Sequence, residues 1–414
     1  MKILVCNSGS SSLKVSLFEA GNELLLAQGS IDWTTRPTRL VFRRAGQPEI
    51  REELELREHS EALGRILADL QAEPSPALNG VQEIEAVGHR VVHGGQRFTA
   101  AVRITPEVQE AIGELSELAP LHNPASQEAI WAIERVLPEV PQVAVFDTTF
   151  HSTLPAFART YAIPRAWTTE WGIHRYGFHG LSHDYCAGRA AEMLGLEGSR
   201  LIIAHLGNGA SVSAVRGGIC LDTSMGFTPV EGIVMGTRSG SLDPGVLLYL
   251  LRHKGLTVEQ IDHALNYESG LLGLSGISSD MREILAKAAN NPGARLALQV
   301  YIHRLVQTIG AMAATLGGVD GLVFTAGVGE NSAQIRELVC ENLGHLGLSL
   351  DTAANARCKP DAYIASPGSR GRVLVISTRE DLTILRETSQ LIRSEAQSKS
   401  DAASEFHELK ILMS

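Results

Sequence analysis

The 414-residue chain is poor in several features that would assign it quickly. Its five cysteines (Cys6, Cys186, Cys220, Cys340 and Cys358) are scattered, with no Cys-x-x-Cys spacing. That argues against a disulfide framework or a cysteine zinc site and for a reducing compartment. Long hydrophobic runs are missing too. No stretch approaches transmembrane length, and the apolar start is cut off by Asn7-Ser8-Gly9, too early for a signal peptide. The expectation is a cytoplasmic protein without a membrane partner. No cluster of Lys and Arg stands out and the net charge is −10, which disfavours nucleic acid as a partner. There is no Gly-Lys-Ser/Thr of a Walker A loop and no Gly-x-Gly-x-x-Gly after a strand, so P-loop and Rossmann readings fail on their own motifs.

What is present is a repeated hairpin. Ile3-Leu4-Val5-Cys6-Asn7-Ser8-Gly9-Ser10-Ser11-Ser12-Leu13-Lys14 and Leu201-Ile202-Ile203-Ala204-His205-Leu206-Gly207-Asn208-Gly209-Ala210-Ser211 each read as an apolar strand, a tight turn of small residues and a second, alternating strand. Small turn residues leave backbone N–H groups bare, and Ser and Asn add donors, so each turn suits an anion. For a Gly/Ser turn taken alone, simple chain reversal is the competing reading. The pair, half a chain apart, suggests a duplicated fold with a nucleotide between its halves. A third glycine-rich turn, Gly327-Val328-Gly329-Glu330-Asn331, joins a strand at 319–325 to a helix and suits a nucleoside, because glycines permit close approach at a helix N-terminus. Helical periodicity is expected over 59–70, 182–195, 246–253, 258–267, 280–290 and 293–317. Strands are expected over 84–92, 143–146 and 372–376. The segment 147–180 is irregular and long for a connector, itself a hint of function. A last helix is expected to end near 394, followed by a mobile, Ser- and charge-rich tail.

Taken together and in their order, these pieces resemble the acetate kinase family. Gly88-His89-Arg90-Val91-Val92-His93-Gly94-Gly95, Phe146-Asp147-Thr148-Thr149-Phe150-His151, Arg175-Tyr176-Gly177-Phe178-His179-Gly180 and Met235-Gly236-Thr237-Arg238-Ser239-Gly240 complete the set. The resemblance spans almost the whole chain. It implies an α/β fold of the duplicated, actin-like (ribonuclease-H-like) kind, with two domains and a central nucleotide cleft. One domain would be 1–147 with 384–414, the other 148–383. It also implies ATP + acetate ⇌ ADP + acetyl phosphate, Mg²⁺ dependence with Mn²⁺ able to substitute, and a homodimer.

Acetate is already ionised at neutral pH, so no base is needed to create the nucleophile. The difficulty is electrostatic: an anion must approach a triphosphate. By resemblance Arg90, Arg238, His179 and Asp147 are the catalytic residues. The nucleotide would be held by Ser10, Ser12, Lys14, His205, Leu206, Gly207, Asn208, Gly209, Asp280, Met281, Arg282, Gly327, Val328, Gly329, Glu330 and Asn331. Asn7 and Glu380 would associate with Mg²⁺, and Arg90, Val92, Leu121, Phe178 and Pro229 would form the acetate pocket. Plainer roles stand beside these. Asp147 heads Asp-Thr-Thr and suits a turn cap. Glu380 closes Ser377-Thr378-Arg379-Glu380, a capping-box spacing. His205 suits a core hydrogen bond, and Val92 a core position. Met281, Arg379 and Cys6 depart from the residues usual in the family. A propionate or butyrate kinase, a silent actin-like nucleotide-binding protein and a sugar kinase are the alternatives.

Overall fold

The computed structural model of the chain describes residues 1–9, 12–33, 37–56, 58–120 and 122–412, with 399–412 described by backbone alone. Contacts divide it into two units, Met1–Thr149 with Glu380–Ser414, and Phe150–Arg379. The sequence reading placed the crossings at 147/148 and 383/384.

The first unit is built on strands β1 (Lys2–Ser8), β2 (Ser12–Glu19), β3 (Leu24–Asp32), β4 (Thr38–Arg44), β5 (Ile50–Leu54), β6 (Ile84–Val91), β7 (Val102–Arg103) and β8 (Gln142–Phe146). They form one sheet in the order β5-β4-β3-β2-β1-β6-β8-β7. β1 to β5 pair as an antiparallel meander, whereas β6 and β8 run parallel to β1. Side chains alternate across β1. Leu4 and Cys6 join a buried cluster with Ile66 and Leu67 of the His59–Leu70 helix and Ile133 of the Asn123–Val136 helix. The other face receives the last helix, Glu380–Leu412, which packs on β1, β6 and β8. Gly88 makes that packing possible. A Cβ there would stand 2.3 Å from Thr388 Oγ1 and 2.7 Å from Ile384 Cγ2.

The second unit repeats the plan with β9 (Arg200–Leu206), β10 (Ala210–Arg216), β11 (Ile219–Thr223), β12 (Gly321–Thr325), β13 (Ala362–Tyr363) and β14 (Arg372–Val375), in the order β11-β10-β9-β12-β14-β13. Again an antiparallel meander is followed by two strands parallel to its first, so β3-β2-β1-β6-β8 and β11-β10-β9-β12-β14 are the same topology. This is the duplicated α/β arrangement expected from the paired hairpins. The Gly180–Leu194 helix packs Cys186, Ala187 and Ala190 against Leu201 and Ile203. The Pro292–Leu316 helix lies against β9, β10 and β11. It opens on Asn291, whose side chain caps Ala294 N at 2.9 Å, with Pro292 in the first turn.

Two expectations are corrected. The last helix continues to Leu412 instead of giving way to a mobile tail near 394. Residues 395–412 hold no Gly or Pro and many Ala, Glu, Lys and Leu, which sustain a helix however polar the stretch. The helix also starts at Glu380 itself, so Glu380 is not the third residue of a helix capped by Ser377, and the capping-box reading falls.

Candidate active site

In the first unit, three of the expected site side chains lie at the carboxyl ends of parallel strands, the edge where open α/β sheets bind ligands. Asn7 is near the end of β1 and Arg90 near the end of β6, while Asp147 follows β8 directly. Arg90 Nε donates to Asp147 Oδ1 at 3.1 Å, and its NH2 nitrogen donates to Oδ2. The other nitrogen, NH1, reaches Asn7 Oδ1 at 3.3 Å. Asn7 Nδ2 in turn donates to Glu380 Oε2 at 3.0 Å. Asp147 is fully buried, and Arg90 keeps 17 % of its side chain exposed. Burial works against the Arg90 charge, but the Asp147 and Glu380 carboxylates outweigh it and raise its pKa. The guanidinium is therefore a fixed cation between two carboxylates. Val92 is buried two residues further on. Beyond it, Asn123 clamps His93 by accepting from its N–H at 3.1 Å and donating to its carbonyl at 3.2 Å. Ser12 is half-buried and Lys14 exposed on β2. Ser10 and Leu121 lie outside the described residues.

The second unit brings together another set. The β9–β10 turn is closed by Gly207 N donating to Gly209 O at 3.0 Å. A Cβ on Gly209 would lie 3.3 Å from His179 Nε2 and 3.4 Å from the NH1 nitrogen of Arg238, so both side chains converge on this turn. His179 holds a left-handed backbone, φ 58°, at the head of the Gly180–Leu194 helix. Its ring stacks on His205 with centroids 4.2 Å apart. Serines hold both rings at Nδ1, Ser211 Oγ at 2.9 Å from His179 and Ser182 Oγ at 2.8 Å from His205. Arg238 NH1 also reaches the Pro229 carbonyl at 3.4 Å. Beside the turn is a cavity of about 260 Å³ lined by Gly207, Asn208, Asp280, Met281, Tyr301 and Val328, among others.

These two constellations draw on most motifs of the resemblance, and a comparison with known families decides the family. The model of the acetokinase family matches residues 2–386. The chain belongs to the acetokinase family. It is 51 % identical over 399 residues to acetate kinase of Microcystis aeruginosa, covering 94 % of this chain and 98 % of that protein. Among solved structures it is similar to Porphyromonas gingivalis acetate kinase (43 % identity, TM-score 0.86) and to a propionate kinase from Francisella tularensis (39 % identity, TM-score 0.87). Each comparison covers 94 % of this chain and 99 % of the other.

The remaining expected residues have plain structural surroundings. The third glycine-rich segment is itself helical, Ala326–Asn331, with φ 64° at Ala326. The Glu330 carboxylate accepts from Ala326 N at 3.0 Å, Thr378 N at 2.8 Å and Ser377 Oγ at 3.0 Å, so it ties this turn to the segment after β14. Asn331 Nδ2 donates to the Gly327 carbonyl at 2.9 Å. Asp280 caps the Met281–Lys287 helix through Arg282 N at 2.8 Å and pairs with the largely exposed Arg282. Leu206 and Phe178 are buried, and the Phe178 carbonyl receives His151 Nε2 at 2.9 Å. Gly329 is buried and Gly327 exposed.

Sequence reasoning missed Tyr301, Leu271, Gly236 and Ser279 in the cavity wall. The Tyr301 hydroxyl is buried and has no hydrogen-bond partner among the described residues. A single Tyr on a 25-residue apolar helix reads as core, and nothing local marks it out. It also missed Ser211 and Ser182, whose partners are strands and helices away.

Proposed function

We propose that this chain is an acetate kinase that transfers the γ-phosphoryl group of ATP reversibly to acetate. An acetate oxygen attacks γ-phosphorus in line, the bond from γ-phosphorus to the β,γ-bridging oxygen breaks, and ADP leaves as acetyl phosphate forms. One observation carries the reading: the Arg90 cation, paired to buried Asp147 and linked through Asn7 to Glu380, stands at the strand ends beside buried Val92, in a chain with a near full-length acetokinase match. An acid–base dyad for a hydroxyl substrate is unnecessary, since the carboxylate arrives ionised. Arg90 fixes the acceptor and Val92 limits its alkyl group. His179 Nε2 and Arg238, converging on the Gly209 turn, stabilise charge on the transferring group. The 260 Å³ cavity takes the nucleoside.

Asn7 and Glu380 would hold Mg²⁺. Their oxygen donors suit this hard cation, which takes one or two carboxylates and keeps its waters and the nucleotide phosphates. When bound, it neutralises phosphate charge.

A homodimer is supported by the apolar residues exposed along the second unit at Leu242, Val246, Leu248, Tyr249, Leu251 and Val258. Among the described residues no helix is long and apolar enough to cross a membrane, in keeping with a cytoplasmic enzyme. A hydroxamate assay with Mg-ATP and acetate, propionate, butyrate or glucose tests the reading. Acetyl hydroxamate should form fastest, and its absence with ample enzyme would refute the proposal. The likeness to a propionate kinase favours propionate as the second substrate.

A further inference from the structure

Two histidines of the second unit share one serine. Ser211 is fully buried on β10, with Oγ 2.9 Å from His179 Nδ1 and 2.7 Å from His183 Nε2. A hydroxyl has one proton, so it can donate to only one of these nitrogens and must accept at the other. Which way the chain of bonds runs is decided at His183.

His183 lies one turn into the helix that His179 heads and is fully buried. Phe150 stacks on its ring and His151 meets it edge-on. Burial, with His151 and His205 nearby, holds its pKa well below the usual range, so the ring is neutral and carries one proton. Its Nδ1 is buried without a hydrogen-bond partner among the described residues. A proton there would strand a buried donor, whereas an unmet acceptor nitrogen costs less. The proton therefore sits on Nε2 and is donated to Ser211 Oγ. The Ser211 hydroxyl proton is left to donate to His179 Nδ1. That nitrogen must then be bare, and the His179 proton sits on Nε2, the atom that faces the Gly209 turn.

We propose that His183, acting through Ser211, sets the tautomer of His179 so that a neutral imidazole presents an Nε2–H to the phosphoryl site. His183 and Ser211 are thus positioning residues. The proposal rests on the reading of His179 as a donor to the transferring phosphoryl group, and it adds what makes His179 a donor.

The test uses the full chain labelled with ¹⁵N-histidine. Ring nitrogen shifts should show His179 with a bare Nδ1 and a protonated Nε2, the signal being assigned by its loss in His179→Asn. His183→Leu and Ser211→Ala should each shift His179 toward a mixture of tautomers. Each should lower kcat for acetyl phosphate formation by roughly ten-fold or more, with KM for ATP and acetate altered by less than about three-fold. His183→Gln, whose amide can place an N–H near the Nε2 position, should recover most of kcat. Wild-type His179 with its proton on Nδ1 would overturn the proposal. So would a Ser211→Ala variant that folds normally and keeps both tautomer and kcat. If His183→Leu fails to fold, Ser211→Ala decides alone. Should the wild-type chain form no acetyl phosphate, the acetate kinase reading fails while the nitrogen shifts still report the relay.

Discussion

Arg90 grips Asp147 with two nitrogens, Nε on Oδ1 at 3.1 Å and NH2 on Oδ2, leaving NH1 for Asn7. Asp147 thus orients the guanidinium and supplies its counter-charge while one nitrogen stays directed along the strand ends. Losing either partner leaves a buried charge uncompensated.

Arg90→Ala is expected to lower kcat by about 10²–10³, the effect of removing one donor to a developing anion. Far-UV circular dichroism should still show the folded state, with a lowered thermal midpoint because buried Asp147 loses its partner. Steady-state kinetics in both directions check this, and a near wild-type kcat would show that Arg90 serves only Asp147.

Val92→Ala should widen the space beside Arg90. The propionate/acetate ratio of kcat/KM is expected to rise roughly ten-fold, at the lower end of what one methylene provides. An unchanged ratio would make Val92 an ordinary core residue.

Tyr301→Phe removes a buried hydroxyl that has no partner among the described residues but lines the cavity. Thermal stability should hold or rise slightly, because an unsatisfied polar group disappears. KM for ATP should rise by about two- to ten-fold with kcat little changed, the worth of one neutral hydrogen bond. A constant KM would mean the nucleoside does not reach this hydroxyl.

Acid should weaken the fold through His89 and His151. Burial is the larger influence on each and lowers its pKa from 6.5 to about 4. The hydrogen bonds to Gln142 and to the Phe178 carbonyl offset only part of this. Between those values the unfolded chain binds more protons, so the stabilising contribution is complete above pH 6.5 and lost as pH falls toward 4. It is on the order of 3 kcal/mol for each histidine. Urea midpoints of wild type and His89→Gln should converge as pH drops from 7 to 4.5. A constant gap would contradict a neutral His89.

Much of the architecture was legible because its signals are local. The two hairpins announce themselves by alternation and small turn residues, and helical periodicity marks the long helix expected over 293–317. Arg90 and Asp147 were picked out only through the resemblance of their motifs to the acetate kinase family, since the local pattern alone left Asp147 a turn cap. The final helix beyond 394 was misread because a polar sequence was equated with a mobile one.

The order of local signals along the chain therefore determined the duplicated α/β plan, the strand ends that carry the candidate site, and membership in a family. Only the tertiary structure decided that Glu380 meets Asn7 across 373 residues, that Ser211 joins His179 to His183, and that Tyr301 faces a cavity. Local backbone preference depends on near neighbours in sequence. Side-chain partnership depends on which strands and helices come to lie side by side, and burial then makes each of those hydrogen bonds count.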